Sequence, residues 1–145
     1  MVTSRKTEAT DRIDVLIGTE GADHIRIKVF LPPLDKDNIR SDVEIRSGPF
    51  FGAFRSFFSI KELAAFTKDV ERLYNALSGA VTLSQLEGHL NLKMEHTRLG
   101  HIRVQGHARS DRAWYAVLHF DFEIDQTFLP KIVSALAPML DIASP

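Results

Sequence analysis

The chain is predicted to fold as an α+β domain, an antiparallel β-sheet of about eight strands with two packed α-helices, in the order ββββα-ββββα. Three observations lead there. Short segments throughout the chain alternate apolar and polar residues with a period of two. Two stretches change to helical spacing, one after SIKE (59–62) and one after DQT (125–127). The strand-like runs come in two groups of four, each followed by one of those helices. The two halves share no sequence motif, so the repetition is architectural.

Residues 1–11 read as a disordered N-terminal tail, and residues 12–145 as one domain. IDVLI (13–17) and HIRIKVFL (24–31) are the first two strands. In the second, Ile25, Ile27, Val29 and Leu31 point one way and His24, Arg26 and Lys28 the other. Pro32-Pro33 ends it, because proline cannot donate to a ladder. DVEIRS (42–47) alternates again. A turn at Ser47-Gly48-Pro49 leads into FFGAFRSFF (50–58), which holds five of the ten phenylalanines.

Ser59-Ile60-Lys61-Glu62 has the form of a capping box, in which the serine hydroxyl and the glutamate carboxylate each satisfy an amide at the helix start. Phe58 and Leu63 are placed as its hydrophobic staple. Ile60, Leu63, Ala64, Thr67, Val70, Tyr74 and Leu77 then share one helix face, widened by Phe66 and Leu73. Gly79 is positioned to end the helix in a left-handed conformation.

Strands resume at VTLSQL (81–86) and LNLKMEH (90–96). Keeping Leu92, Met94, Ile102 and Val104 on one face pairs Thr97 with His101, with Arg98-Leu99-Gly100 as the loop. This register sets Glu95 opposite Arg103, a favourable pair. After a loop around 109–113, Trp114, Ala116, Leu118, Phe120, Phe122 and Ile124 are expected to face the core. In the last helix Leu129, Ile132, Val133, Leu136 and Leu140 form the apolar stripe. Asp125 or Thr127 can cap it. Pro130 places its start near Thr127, and Pro138 is expected to end or kink it.

At 145 residues the chain is long enough to bury a core without staples. Eighteen basic and nineteen acidic residues give a net charge of −1, which offers no support for nucleic-acid binding. With no cysteine there is no disulfide or thiolate metal site. The polar start is unlike a signal peptide, and no stretch is apolar enough to span a bilayer, so no membrane partner and a cytoplasmic location are expected.

Two chemistries compete for the outward face of the last strands. In one register His101 lies opposite Asp121 and Arg103 opposite His119. Imidazole and carboxylate together suit a divalent metal or a small ligand, which nominates His101, His119, Asp121 and Asp125. Asp125 could then act as a general base in a hydrolytic protein. The plainer reading is a solvated sheet face with Asp125 as a helix cap. No HExxH, nucleophile elbow, phosphate loop or dinucleotide fingerprint occurs.

Five phenylalanines in nine positions are hard to bury on one side of a strand. Phe50, Phe51 and Phe54 are therefore candidate anchors for a protein partner, with Arg103 and His119 as polar contacts. The same segment, or an edge strand, could instead support a homodimer in place of a monomer.

The runs FFGAFRSFFSIKELAAFTKDVERLYNALSGAVTLSQLEGHLNLKM, LGHIRVQGHA and LHFDFEIDQTFLP resemble the WapI-type immunity protein family. The likeness covers roughly residues 43–141. Its pieces are an aromatic-glycine segment, a helix ending in LSGxxxL, a GxIxVxG strand and a strand running into DQTxL. The resemblance implies a small bacterial, non-enzymatic protein that binds and neutralises a cognate toxin and carries no cofactor. No catalytic residues carry over from it.

Overall fold

A computed structural model describes residues 11–76, 78–85, 87–110 and 116–144. Alternation produces strands β1 (Arg12–Gly18), β2 (His24–Phe30), β3 (Asn38–Ser47) and β4 (Phe50–Ser59), then helix α1 (Ile60–Ala76). The second half repeats the order with β5 (Ala80–Ser84), β6 (Leu90–Arg98), β7 (His101–Arg109) and β8 (Val117–Asp125), then α2 (Leu129–Ala143). The eight antiparallel strands are divided between two four-stranded meanders, β1-β2-β3-β4 and β5-β6-β7-β8. The expected tail falls outside the described residues except for Asp11, whose carbonyl accepts from the Leu31 amide at 3.0 Å.

Register follows from burial. Ile13, Val15 and Ile17 of β1 stand opposite Val29, Ile27 and Ile25 of β2, and all six are buried. In the second sheet Val81 and Leu83 face Met94 and Leu92 in the same way. A one-residue slip would turn each row to solvent, so these registers are strongly specified. The two sheets and both helices contribute to a single apolar cluster. α1 packs on β5 and α2 on β1, so the helix of each half covers the first strand of the other. The helices also pack on one another, and β8 touches β3 and β1.

The capping box forms as expected. The Ser59 amide donates to Glu62 Oε1 at 2.9 Å, and the Glu62 amide to Ser59 Oγ at 3.4 Å. Phe58 and Leu63 are both buried beside it. Gly79 has φ +103°. Tyr74, expected on the buried face of α1, is exposed. The buried line at that end runs Phe66, Val70, Leu73, and the His96 ring bonds the Leu73 carbonyl at 3.0 Å. The arc therefore centres on Leu73 and turns Tyr74 outward. Leu77, Trp114 and Tyr115 lie outside the described residues.

Other departures have local causes. Glu95 does face Arg103, but a bulge after His96 pairs Arg98 with His101, and only Leu99-Gly100 remain in the loop. Ala116, expected in the core, is exposed just before β8 begins. A single 3₁₀ turn, Gln126–Phe128, precedes α2, and Pro130 sits in the first turn of the helix. Met139 takes the buried place expected for Leu140, which is half-buried. Pro138 does not end the helix, which continues to Ala143. The carbonyl deprived of its partner there belongs to Ser134, and Ser134 and Pro138 are both exposed, so water can satisfy it.

At Gly106 the backbone of β6 lies where a side chain of β7 would project. A Cβ there would collide with the Asn91 carbonyl and with Leu92. Gly106→Ala is expected to cost about 3 kcal/mol or more in urea unfolding. Burial pushes the Glu62 carboxyl above its usual range, and the bond from the Ser59 amide only partly offsets this. A raised carboxyl favours the fold below its unfolded value and loses that contribution as pH rises through the folded value. Glu62→Gln keeps the cap without the charge, so its melting temperature should equal or exceed that of the parent at neutral pH. That margin should vanish below about pH 4. Ser59→Ala, by contrast, should cost about 1 kcal/mol.

Candidate protein-binding site

β4 is one of the two edge strands of the first sheet and, among the described residues, pairs with β3 alone. Its residues alternate between the two faces. Phe50, Gly52, Phe54, Ser56 and Phe58 follow the inner face, and Phe51, Ala53, Arg55 and Phe57 the outer. Phe58 is buried beside α1, and Phe54 is half-buried against the core. Phe50, Phe51 and Phe57 are 66%, 59% and 42% exposed. The crowding expected from the sequence is thus resolved by leaving three of five rings at the surface.

The cause at the inner face is Gly52. It has no side chain, and a Cβ there would lie 3.2 Å from the Leu118 side chain of β8. The sheets come together at this point and leave a cleft of about 340 Å³, lined by Ile45, Phe50, Gly52, Phe54, Val117 and Leu118 among others. The two-residue loop Gly48-Pro49 closes β3 onto β4, with Gly48 at φ +62°, the pattern of a tight hairpin with glycine first. Asp23 Oδ1 accepts from the Gly48 amide at 2.8 Å and ties this turn to the β1–β2 loop. At the far end of β4, Gln85 Nε2 donates to the Phe57 carbonyl at 2.6 Å. That bond shows the odd-numbered residues of β4 directing their backbone groups away from β3, so Phe51, Ala53 and Arg55 have no strand partner on that edge among the described residues.

The polar face of the second sheet lies in a different register from the one expected. His101 pairs with Asp125, Arg103 with Glu123, Gln105 with Asp121 and His107 with His119. The shift is four residues. An even slip preserves inward and outward faces, so alternation cannot detect it. Arg103 reaches diagonally to Asp121, with bonds of 2.9 Å from Nε and 2.6 Å from Nη2. That fork holds the Asp121 carboxyl below its usual range. His101 Nδ1 is 3.2 Å from Glu123 Oε1.

Asp125 Oδ1 accepts from the Thr127 amide at 2.9 Å, and this bond lowers the Asp125 carboxyl. Asp125 therefore serves the strand-to-helix switch as a cap. His101 and His119 sit at opposite ends of their pairing with β8 and β7, six residues of strand apart, roughly 20 Å. The four residues nominated for a metal or ligand do not converge. Among the described residues no three His, Asp or Glu side chains are grouped to hold a metal ion.

The five residues nominated for a partner are better connected. Phe50, Phe51 and Phe54 line the apolar cleft. His119 and Asp121 line an adjoining open basin together with Ser47, which lies across the hairpin turn from Phe50. Arg103 borders that basin through its bonds to Asp121. Val117 and Leu118, which complete the cleft, carried no mark in the sequence beyond strand alternation. Their proximity to Gly52 arises only when the sheets pack.

These features describe a two-sheet α+β domain with an apolar cleft at an aromatic edge strand. The chain belongs to the immunity protein WapI-like family, whose signature matches residues 16–143. No curated protein matches the chain. No helix among the described residues is long and apolar enough to cross a membrane.

The burial contrast along β4 predicts a stability contrast. Phe58→Ala should cost about 3–5 kcal/mol in urea unfolding. Phe50→Ser and Phe51→Ser should each stay within about 0.5 kcal/mol of the parent.

Proposed function

We propose that this immunity protein neutralises a cognate bacterial toxin by binding it non-catalytically, through the open edge of β4 and the cleft beneath it. The observation that carries the reading is the exposure of Phe50, Phe51 and Phe57 on one edge strand. Aromatic rings over an apolar cleft supply the desolvated anchors that dominate interface energies. Unpaired backbone groups on an edge can pair with an extended segment of another chain. An apolar edge with no strand partner among the described residues invites aggregation, and a partner that covers it removes that liability.

Polar contacts would come from the neighbouring face. Arg103 and Asp121 already satisfy one another, so Arg103 acts there chiefly through its aliphatic stem and free guanidinium edge. His119 is exposed beside the hairpin turn and offers a donor or acceptor at the rim. With a net charge of −1, steering would rest on such local groups.

The test is affinity capture from host lysate with mass-spectrometric identification, followed by co-expression of the captured toxin domain in a growth assay. The parent is expected to restore growth, and Phe50→Ser/Phe51→Ser, while folded, to lose both capture and protection. His101→Asn should behave as the parent. Protection by the double serine variant at parent level would remove β4 as the interface. Size exclusion at several concentrations separates toxin binding from self-pairing of the same edge, which would appear as a concentration-dependent dimer.

A further inference from the structure

The register that separates His101 from His119 brings a different pair together. His107 of β7 and His119 of β8 are direct cross-strand partners on the outer face of the second sheet. Their ring centres are 5.7 Å apart, with the planes tilted by 50°. They line an open basin of about 570 Å³ with Asn91, Lys93, Gln105 and Asp121. Neither ring makes a hydrogen bond or ion pair to a described residue, so both imidazoles keep an uncommitted nitrogen lone pair.

We infer that His107 and His119 form a two-imidazole clip for a divalent transition-metal ion of the zinc, nickel or copper type. With a metal–nitrogen bond of about 2.1 Å, each ring centre stands about 3.2 Å from the ion. Two rings at the tetrahedral angle are then about 5.2 Å apart. The observed separation of 5.7 Å is within about 0.5 Å of that value. Direct opposition across an antiparallel pair supplies the rigidity, since both Cα positions are fixed by the ladder.

The chemistry of the basin selects the ion. Two neutral imidazoles suit borderline metals, whereas magnesium and calcium require a cage of oxygens. Asp121 is nearby, but both its oxygens are engaged by Arg103. Lys93 is held at 3.4 Å by Glu95, which offsets its charge. Two protein ligands leave the remaining coordination positions to water or to an incoming side chain. The clip lies beside the hairpin turn that borders the aromatic cleft, so an ion held there would face the same partner. Metal binding by the free protein does not depend on that partner.

The experiment is calorimetric titration of the full-length protein with zinc, and with copper followed by its visible absorption and electron paramagnetic resonance. One ion per chain is expected, with nitrogen hyperfine structure in the copper spectrum. His107→Asn and His119→Asn should each weaken zinc binding by at least about tenfold, while His101→Asn and magnesium serve as the unaffected variant and the silent ion. Circular dichroism checks each fold, and the Gln variant replaces any Asn variant that fails. Absence of saturable zinc binding to the parent overturns the inference. So does parent-like binding by the folded His107 and His119 variants, which would place the ion elsewhere.

Discussion

The packing of the two helices against each other, each laid on the first strand of the opposite half, is the interaction on which the rest of this structure depends. Neither four-stranded meander has enough of its own to cover its apolar face. β1 and β2 present Ile13, Val15, Ile17, Ile25, Ile27 and Val29 on one side, and the later strands present a comparable set. Exchange of helices between halves turns these two half-cores into one continuous cluster. Buried helix-to-sheet contacts of this kind gain free energy from removal of apolar area from water, and they couple the halves so that neither can open alone at low cost.

That constraint also determines what is left uncovered. With the helices occupied at β5 and β1, nothing among the described secondary-structure elements pairs with the outer edge of β4. The first sheet meets the second near Gly52 and Leu118, where a missing side chain allows close approach and leaves space on either side. The aromatic edge is thus a product of the same packing that completes the core. The bond from Gln85 to Phe57 at one end and from Gly48 to Asp23 at the other tether both ends of the strand. A preformed edge of this sort binds with little ordering cost.

The outer face of the second sheet is organised by diagonal and direct cross-strand pairs rather than by a convergent site. Arg103 with Asp121 and Arg98 with Glu123 form ion pairs that consume charge that composition offered for catalysis. Asp125 is spent on the turn into α2. Among the described residues, the imidazoles of His107 and His119 make no hydrogen bond, and the rings of Phe50, Phe51 and Phe57 stay exposed. The molecule's reactive-looking carboxylates therefore serve its architecture, and its uncommitted groups are those suited to binding.

The sequence alone determined the local events, because each depends on residues close together in the chain. Ser59 and Glu62 fix the start of α1 through bonds spanning three residues, and Asp125 fixes the strand-to-helix switch through one spanning two. Strict alternation determined which side of each strand faces inward, and the opposition of Glu95 and Arg103 followed from a short hairpin. Only the tertiary structure decided the pairing of β7 with β8, because a slip of four residues leaves every inward and outward side chain where alternation puts it. It also decided the division into two sheets, the passage of α2 through Pro138, and the fate of each phenylalanine in β4. Those depend on which surfaces meet across long stretches of chain, where period and propensity are silent and the burial of apolar area makes the choice.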